Sequence, residues 1–246
     1  VRIKRIKLEP LAFQEAVDFF RDKVILKPGD FERLWAEAKT RAFTVAGVAK
    51  ADVLKDIFDE LARALEEGLT QEEWRRNANE ILERRGWSGL TPFRADNIFR
   101  TNVQTAYQVG RYRQMTDPDV VDRRPYWMYD AVNDRRTRPT HLALDGKVYP
   151  ADHPFWDTWY PPNGYRCRCG VVSLSEDQVR RRGLKVETEI PAMVEPPGQV
   201  ARQLLPDPGF EHNPAKAEWS PDLSKYPPAL RRAFEEHKRN RSSQIQ

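Results

Sequence analysis

The chain of 246 residues is 39% hydrophobic and 32% charged, with 41 basic and 37 acidic residues and a formal net charge of +4. That is enough apolar material to bury a core, and far too mild a charge for a histone-like polycation. No stretch approaches the roughly 18 apolar residues that span a bilayer, and two cysteines give no disulfide framework, so a reducing compartment is the expectation. The start, VRIKRIKLEP, reads as too polar for a signal peptide, and the absence of a methionine before Val1 suggests missing or processed first residues.

Phe13, Ala16, Val17 and Phe20 recur at helical spacing and predict a first helix. Phe31, Leu34 and Trp35 predict the start of a second, after a turn at 27–30. Leu54, Ile57, Phe58, Leu61 and Leu65 form a third stripe, stopped by Gly68. Thr70 and Glu73 make a capping box for a fourth helix carrying Trp74, Ala78, Ile81 and Leu82. Thr91 as N-cap with Pro92 at the first helical position opens a long helix through Phe99, Val103, Ala106 and Gly110, ending near Asp117 and Pro118. These stripes read as core.

Beyond Pro118 the texture changes. Tyr126 to Ala131 predicts a short strand, 133–165 an irregular stretch dense in Pro, Gly, Asp and Trp, and Cys167 to Leu174 a second strand. Ser175 with Gln178 caps a short helix closed by Gly183. Region 191–228 holds nine of the 19 prolines and predicts an extended segment that wraps a surface or links domains, followed by a basic amphipathic helix over 228–239. The expected fold class is α+β, with a helical domain over 1–118 and a loop-rich α+β domain over 119–190. An extended Pro-rich tail over 191–246, ending in a helix, completes it.

Both cysteines lie in PPNGYRCRC, residues 161–169. In a strand Cys167 and Cys169 project to one face, with Arg166 and Arg168 on the other. Two sulfurs on one face are half of a tetrahedral zinc site. His141, with one of His153, Asp145 or Asp134, would complete it and would order a stretch short of apolar residues. The spacing matches neither common zinc pattern, and two buried, unreactive thiols explain it equally well. A catalytic thiol would need a base and an orienting group, which nothing singles out.

Asp134 and His141 stand among arginines and raise a metal-dependent nuclease or phosphotransfer site. Asp134 paired with an arginine is the plainer reading. The rings of Phe155, Trp156, Trp159, Tyr160 and Tyr165 are expected to build a small core rather than to stack on bases. Ten arginines fall between Arg123 and Arg182. Arg123, Arg124, Arg135, Arg180, Arg181 and Arg182 are candidates for contact with DNA or an acidic partner.

Taken in order, FRTNVQTAYQVGRYRQM at 99–115, YDAVNDRRTRPTHLALDGKVYP at 129–150, HPFWDTWYPPNGYRCRCGVVSLS at 153–175 and DPGFEHNPAKAEW at 207–219 resemble the phage Mu protein F-like family of minor head proteins, the phage head morphogenesis domain. AFTVAGV at 42–48 and the EEGLTQEEW turn are similar to the same family's N-terminal half. The family motif falls on Asp134, Arg136, Arg138, His141, Asp145, Gly146, Pro161, Pro162, Cys167, Arg168 and Cys169. The resemblance implies a minor capsid protein of a tailed phage or prophage, present in few copies and not an enzyme. It would act in head assembly, DNA packaging or ejection, with the portal protein, the major capsid protein and packaged double-stranded DNA as partners, and no membrane. It implies a location in the virion head, and in host cytoplasm during assembly. Family members are often longer, and relatives of the domain occur joined to toxin modules. A zinc-dependent nucleic-acid-processing enzyme and a plain DNA-binding module are the rival readings of the residues, and one structural zinc is the cofactor expectation.

Overall fold

The structure, a computed structural model, describes residues 13–34, 36–196, 198–217, 228, 231, 232, 235 and 236. Helix α1 (Gln14–Arg21) buries Ala16, Val17 and Phe20 of the predicted stripe, and Phe19 besides. Strand β1 (Val24–Ile25) pairs in parallel with β2 (Ala42–Phe43). Between them lie α2 (Pro28–Phe31), where a turn was expected, and α3 (Ala36–Thr40), while Leu34 of the expected helix start falls in neither and Trp35 lies outside the described residues. Pro28 starts the first piece at its opening position, and tightened bonds from Arg33 to Asp30 and from Leu34 to Phe31 end it.

Helix α4 (Ala51–Glu67) ends at Gly68, and α5 (Gln71–Arg84) opens with the Thr70–Glu73 capping box. Helix α6 (Pro92–Met115) is capped by the Thr91 side chain. Helices α1, α4, α5 and α6 enclose one apolar core around Phe19, Phe20, Leu54, Ile57, Trp74 and Val109. Gly110 lets α1 lie directly on α6: a Cβ there would sit 2.9 Å from both the Ala16 amide nitrogen and the Phe13 ring.

After the short α7 (Pro118–Arg123), β3 (Tyr126–Asp130) forms the centre of an antiparallel sheet between β4 (Val148–Pro150) and β5 (Gly170–Leu174). Trp127 and Tyr129 point to one face, into a core with Phe155, Trp156, Trp159 and Tyr160. Tyr126 and Met128 point to the other, against Val148, Leu174 and Val179. The stretch expected to be irregular holds α8 (Pro139–Leu144), β4 and α9 (Phe155–Trp159). These pieces are too short to show periodicity, and packing on the aromatic core sets them. Helix α10 (Glu176–Arg181) has the expected Ser175–Gln178 box. The described tail consists of turns and irregular chain, with a two-residue pairing of β6 (Met193–Val194) and β7 (Arg202–Gln203). The helix expected over 228–239 lies for the most part outside the described residues.

Helix α6 serves both halves. Gln104 and Gln108 donate to the Cys169 carbonyl at 2.8 and 3.3 Å, and Arg111 donates to the Val171 carbonyl at 2.8 Å. Tyr112 packs edge-on to Trp127 and Tyr160, whose hydroxyl donates to the Gln108 carbonyl at 3.0 Å. Among the described residues no helix is long and apolar enough to cross a membrane.

Candidate metal centre

The CRC segment is an irregular lead-in rather than part of the strand, which begins at Gly170. What aims its side chains is the bend before it. The Pro161–Pro162 peptide bond is cis, and Asn163, fully buried, accepts from the Tyr129 hydroxyl at 3.0 Å and donates to the Thr158 carbonyl at 3.2 Å. Gly164 lies under the Arg138–Asp207 ion pair, so close that a Cβ would stand 2.3 Å from the Asp207 carboxylate. Arg166 turns the chain with a φ of 59°, in a region that side chains other than glycine rarely occupy. Its guanidinium is held by Asp96 at 2.6 Å and lies over the Phe93 ring. Arg166 therefore belongs to the turn rather than to a face shared with Arg168.

Beyond that bend both sulfurs point inward to the one histidine of α8. The His141 Nδ1 atom is 3.7 Å from the Cys167 sulfur and 3.5 Å from that of Cys169. The three donor atoms all lie within 4.8 Å of one another, and the residues are 2%, 3% and 2% exposed. A hydrogen bond from Cys169, with His141 beside it, holds the Cys167 thiol well below its usual range, while Cys167 and burial push Cys169 up. Of the two, Cys167 is therefore the more acidic thiol and Cys169 the less. The Tyr129 phenol stands beside the same sulfurs, and burial raises it well above its ordinary value. His141 Nε2 is buried without a hydrogen-bond partner among the described residues.

The expected fourth ligands are engaged elsewhere. His153 faces the Thr188 carbonyl through Nε2 at 3.2 Å and accepts from the Phe155 amide through Nδ1 at 3.1 Å, so it caps α9 instead of joining the cluster. Asp145 accepts from the Ala131 amide and the Asn133 side chain, both at 2.8 Å, while the Gly146 amide donates to the Tyr129 carbonyl. Asp134 is taken by Arg168. The cluster is a three-donor, thiol-rich set that can hold a metal ion.

A second feature was not singled out from the sequence. Arg100, Arg136, Arg138, Arg166 and Arg168 line an open basin of about 570 Å³ with Phe93 and Tyr165. Asp96, Asp134 and Asp207 pair with these arginines, which leaves five guanidiniums against three carboxylates. Phe93 is 65% and Tyr165 55% exposed, so Tyr165 stands outside the aromatic core in which it was expected. The arginines suggested from sequence lie elsewhere. Arg124 is tied to Ser173, Arg180 and Arg181 pair with Asp177, and Arg123, Arg135 and Arg182 are exposed.

Residues 55–172 match the family described as Phage Mu protein F like protein. A capsid assembly protein F of Escherichia phage Mu is 36% identical over 245 residues, an alignment covering 85% of this chain and 55% of that protein. A Mu-like prophage F protein of Haemophilus influenzae is 44% identical over 163 residues, covering 61% of this chain and 39% of the relative. The chain thus spans about half the length of the curated relatives it matches. No solved structure matches it.

Proposed function

We propose that this chain, which belongs through residues 55–172 to the phage Mu protein F-like family, is a minor capsid protein of a tailed phage or prophage that acts structurally in head assembly. The observation that carries this reading is the alignment of most of the chain with a protein named for capsid assembly. Its partners are the portal protein and the major capsid protein, and its place is the phage head, reached from the host cytoplasm during assembly. The tail supports an assembly role: Ile190, Met193, Val200 and Leu205 are 45%, 52%, 79% and 56% exposed, which is apolar surface suited to a neighbour. The arginine basin suits the phosphates of packaged DNA without base specificity. Disrupting the gene in a phage background and fractionating the lysate tests this. Loss or malformation of heads, with the wild-type protein sedimenting with portal and heads, is the expected result. Normal heads, with the protein found only free in the soluble fraction, overturn it.

The His141, Cys167 and Cys169 cluster is proposed to hold one structural zinc. Deep burial of all three donors favours structure over catalysis, because a catalytic metal needs a position that substrate can reach. The same burial weighs against the reading as a zinc-dependent nucleic-acid-processing enzyme.

A further inference from the structure

A cavity of about 390 Å³ lies where the α1–β1 link, α6 and residues 208–214 of the tail meet. Its walls include Phe31, Phe43, Val45, Phe93 and Ile98. Lys23 lines it and is only 4% exposed, although nothing in its own sequence context marks it as buried. Its ammonium group has Asn102 Oδ1 at 3.5 Å and the ring faces of Phe19 and Phe20 at 5.4 and 5.9 Å. No carboxylate pairs with it among the described residues. Burial, with the Arg41 guanidinium nearby, brings its pKa down to about 7.

Two more unsatisfied groups belong to residues lining the same space. The Thr44 hydroxyl is buried without a partner among the described residues. His212 contacts Thr40 Oγ1 through Nε2 at 2.7 Å, while its Nδ1 is buried without a partner among the described residues. The other charges at the walls are already used: Lys39 pairs with Glu32 at 3.2 Å, and Arg94 donates to the Ala46 carbonyl. A buried cation without its counter-ion costs stability, and such a cost persists in a fold when the missing partner is supplied from outside.

We infer that this cavity is a receptor for a carboxylate on an apolar segment of a partner protein, with Lys23 as the counter-ion. Charge complementarity and the walls select the occupant. One buried cation matches one carboxylate, and the volume suits one or two side chains with an apolar stem. A nucleic-acid backbone would bring several charges and their hydration into a site with one unpaired cation, and the neighbouring arginine basin suits it better. That the carrier is a protein segment rests on the head-assembly reading. That the cavity takes a carboxylate does not.

The test uses the isolated full chain, so its outcome is independent of whether the chain is a head protein. Wild-type protein is titrated by calorimetry with acetyl-Phe-Glu-Phe-amide and with its Gln analogue. Two variants, Lys23→Met and Thr44→Val, are titrated alongside. The Glu peptide is expected to bind about tenfold or more tightly than the Gln peptide, the ratio of one charge-assisted bond. Lys23→Met keeps the stem and abolishes that discrimination while the protein stays folded. Thr44→Val weakens the Glu peptide several-fold. Equal affinity for the two peptides, no binding of either, or discrimination that survives Lys23→Met would overturn the inference. Should Lys23→Met fail to fold, the peptide pair on wild type and the Thr44→Val titration still decide it.

Discussion

Asp134 receives both arms of the Arg168 guanidinium, at 2.7 and 2.6 Å, and so fastens the loop before α8 to the middle residue of the CRC segment. The fork matches the carboxylate plane, which makes the pair directional as well as attractive. On one side of this clasp Arg168 faces outward. On the other, Cys167 and Cys169 face His141, so the exposed pair sets the aim of the buried cluster.

The Arg168 fork holds Asp134 well below the usual carboxylate range. A depressed folded value means that the stabilisation is present above the ordinary value of 3.8 and is lost as the pH falls through the folded one. Asp134→Asn should therefore lower the melting temperature by a few degrees at neutral pH. The gap from wild type should close in strong acid. Thermal melts across pH check this, and a constant gap would count against the clasp.

Elemental analysis of purified protein should find about one zinc per chain, the stoichiometry of a single structural site. A chelator should then lower the melting temperature, and replacing Cys167 and Cys169 with serine should remove both the metal and the chelator effect. Metal-free protein that melts cooperatively and ignores the chelator would leave the cluster as a buried hydrogen-bonded group of two sulfurs and a histidine ring.

Gly164→Ala places a methyl group where the Arg138–Asp207 pair passes. The expected cost is about 1–3 kcal/mol of overpacking. Asp207→Ala added to it should recover part of that loss, so the double mutant falls short of additivity in chemical denaturation. Full additivity would place the strain elsewhere.

Lys23 gives stability a basic-side slope. Its folded value of about 7 lies below its ordinary 10.5, so the unfolded chain binds more protons between these limits and stability rises with pH across them. The rise is on the order of a few kcal/mol. Lys23→Met should flatten this slope and be at least as stable as wild type at neutral pH, as measured by denaturant titration at several pH values.

Arg136→Ala and Arg138→Ala should weaken the binding of a duplex DNA fragment regardless of its sequence. Each should also reduce the salt dependence by about one phosphate contact. Fluorescence anisotropy at stepped salt measures both, and unchanged slopes would remove the basin as the DNA face.

The helical half was legible because burial there follows helical spacing: Phe13 to Phe20, Leu54 to Leu65 and the Thr70 and Thr91 caps all carry local signals. The C-terminal half was less so. Helices α8 and α9 are one or two turns long, and Trp156 and Trp159 report burial without reporting element type. The pairing of His141 with the two cysteines could be suggested from residue chemistry. The engagement of His153 Nε2 could not, since it depends on where the Thr188 carbonyl falls. Lys23 looks like an ordinary loop lysine in sequence. Only the tertiary crossing of α1 and α6 buries it, and only the fold gathers Arg100, Arg166 and Arg168 from distant segments.

Helix α6 sets the size of any portable unit. Its Gln104, Gln108 and Arg111 side chains supply donors to carbonyls of the CRC–β5 segment, and Tyr112 closes the aromatic core. An excised fragment beginning after residue 118 would forfeit those donors and bare that core to water. A graft of the C-terminal half onto another protein must begin at or before Thr91, and a fusion junction inside 92–115 would break both halves at once.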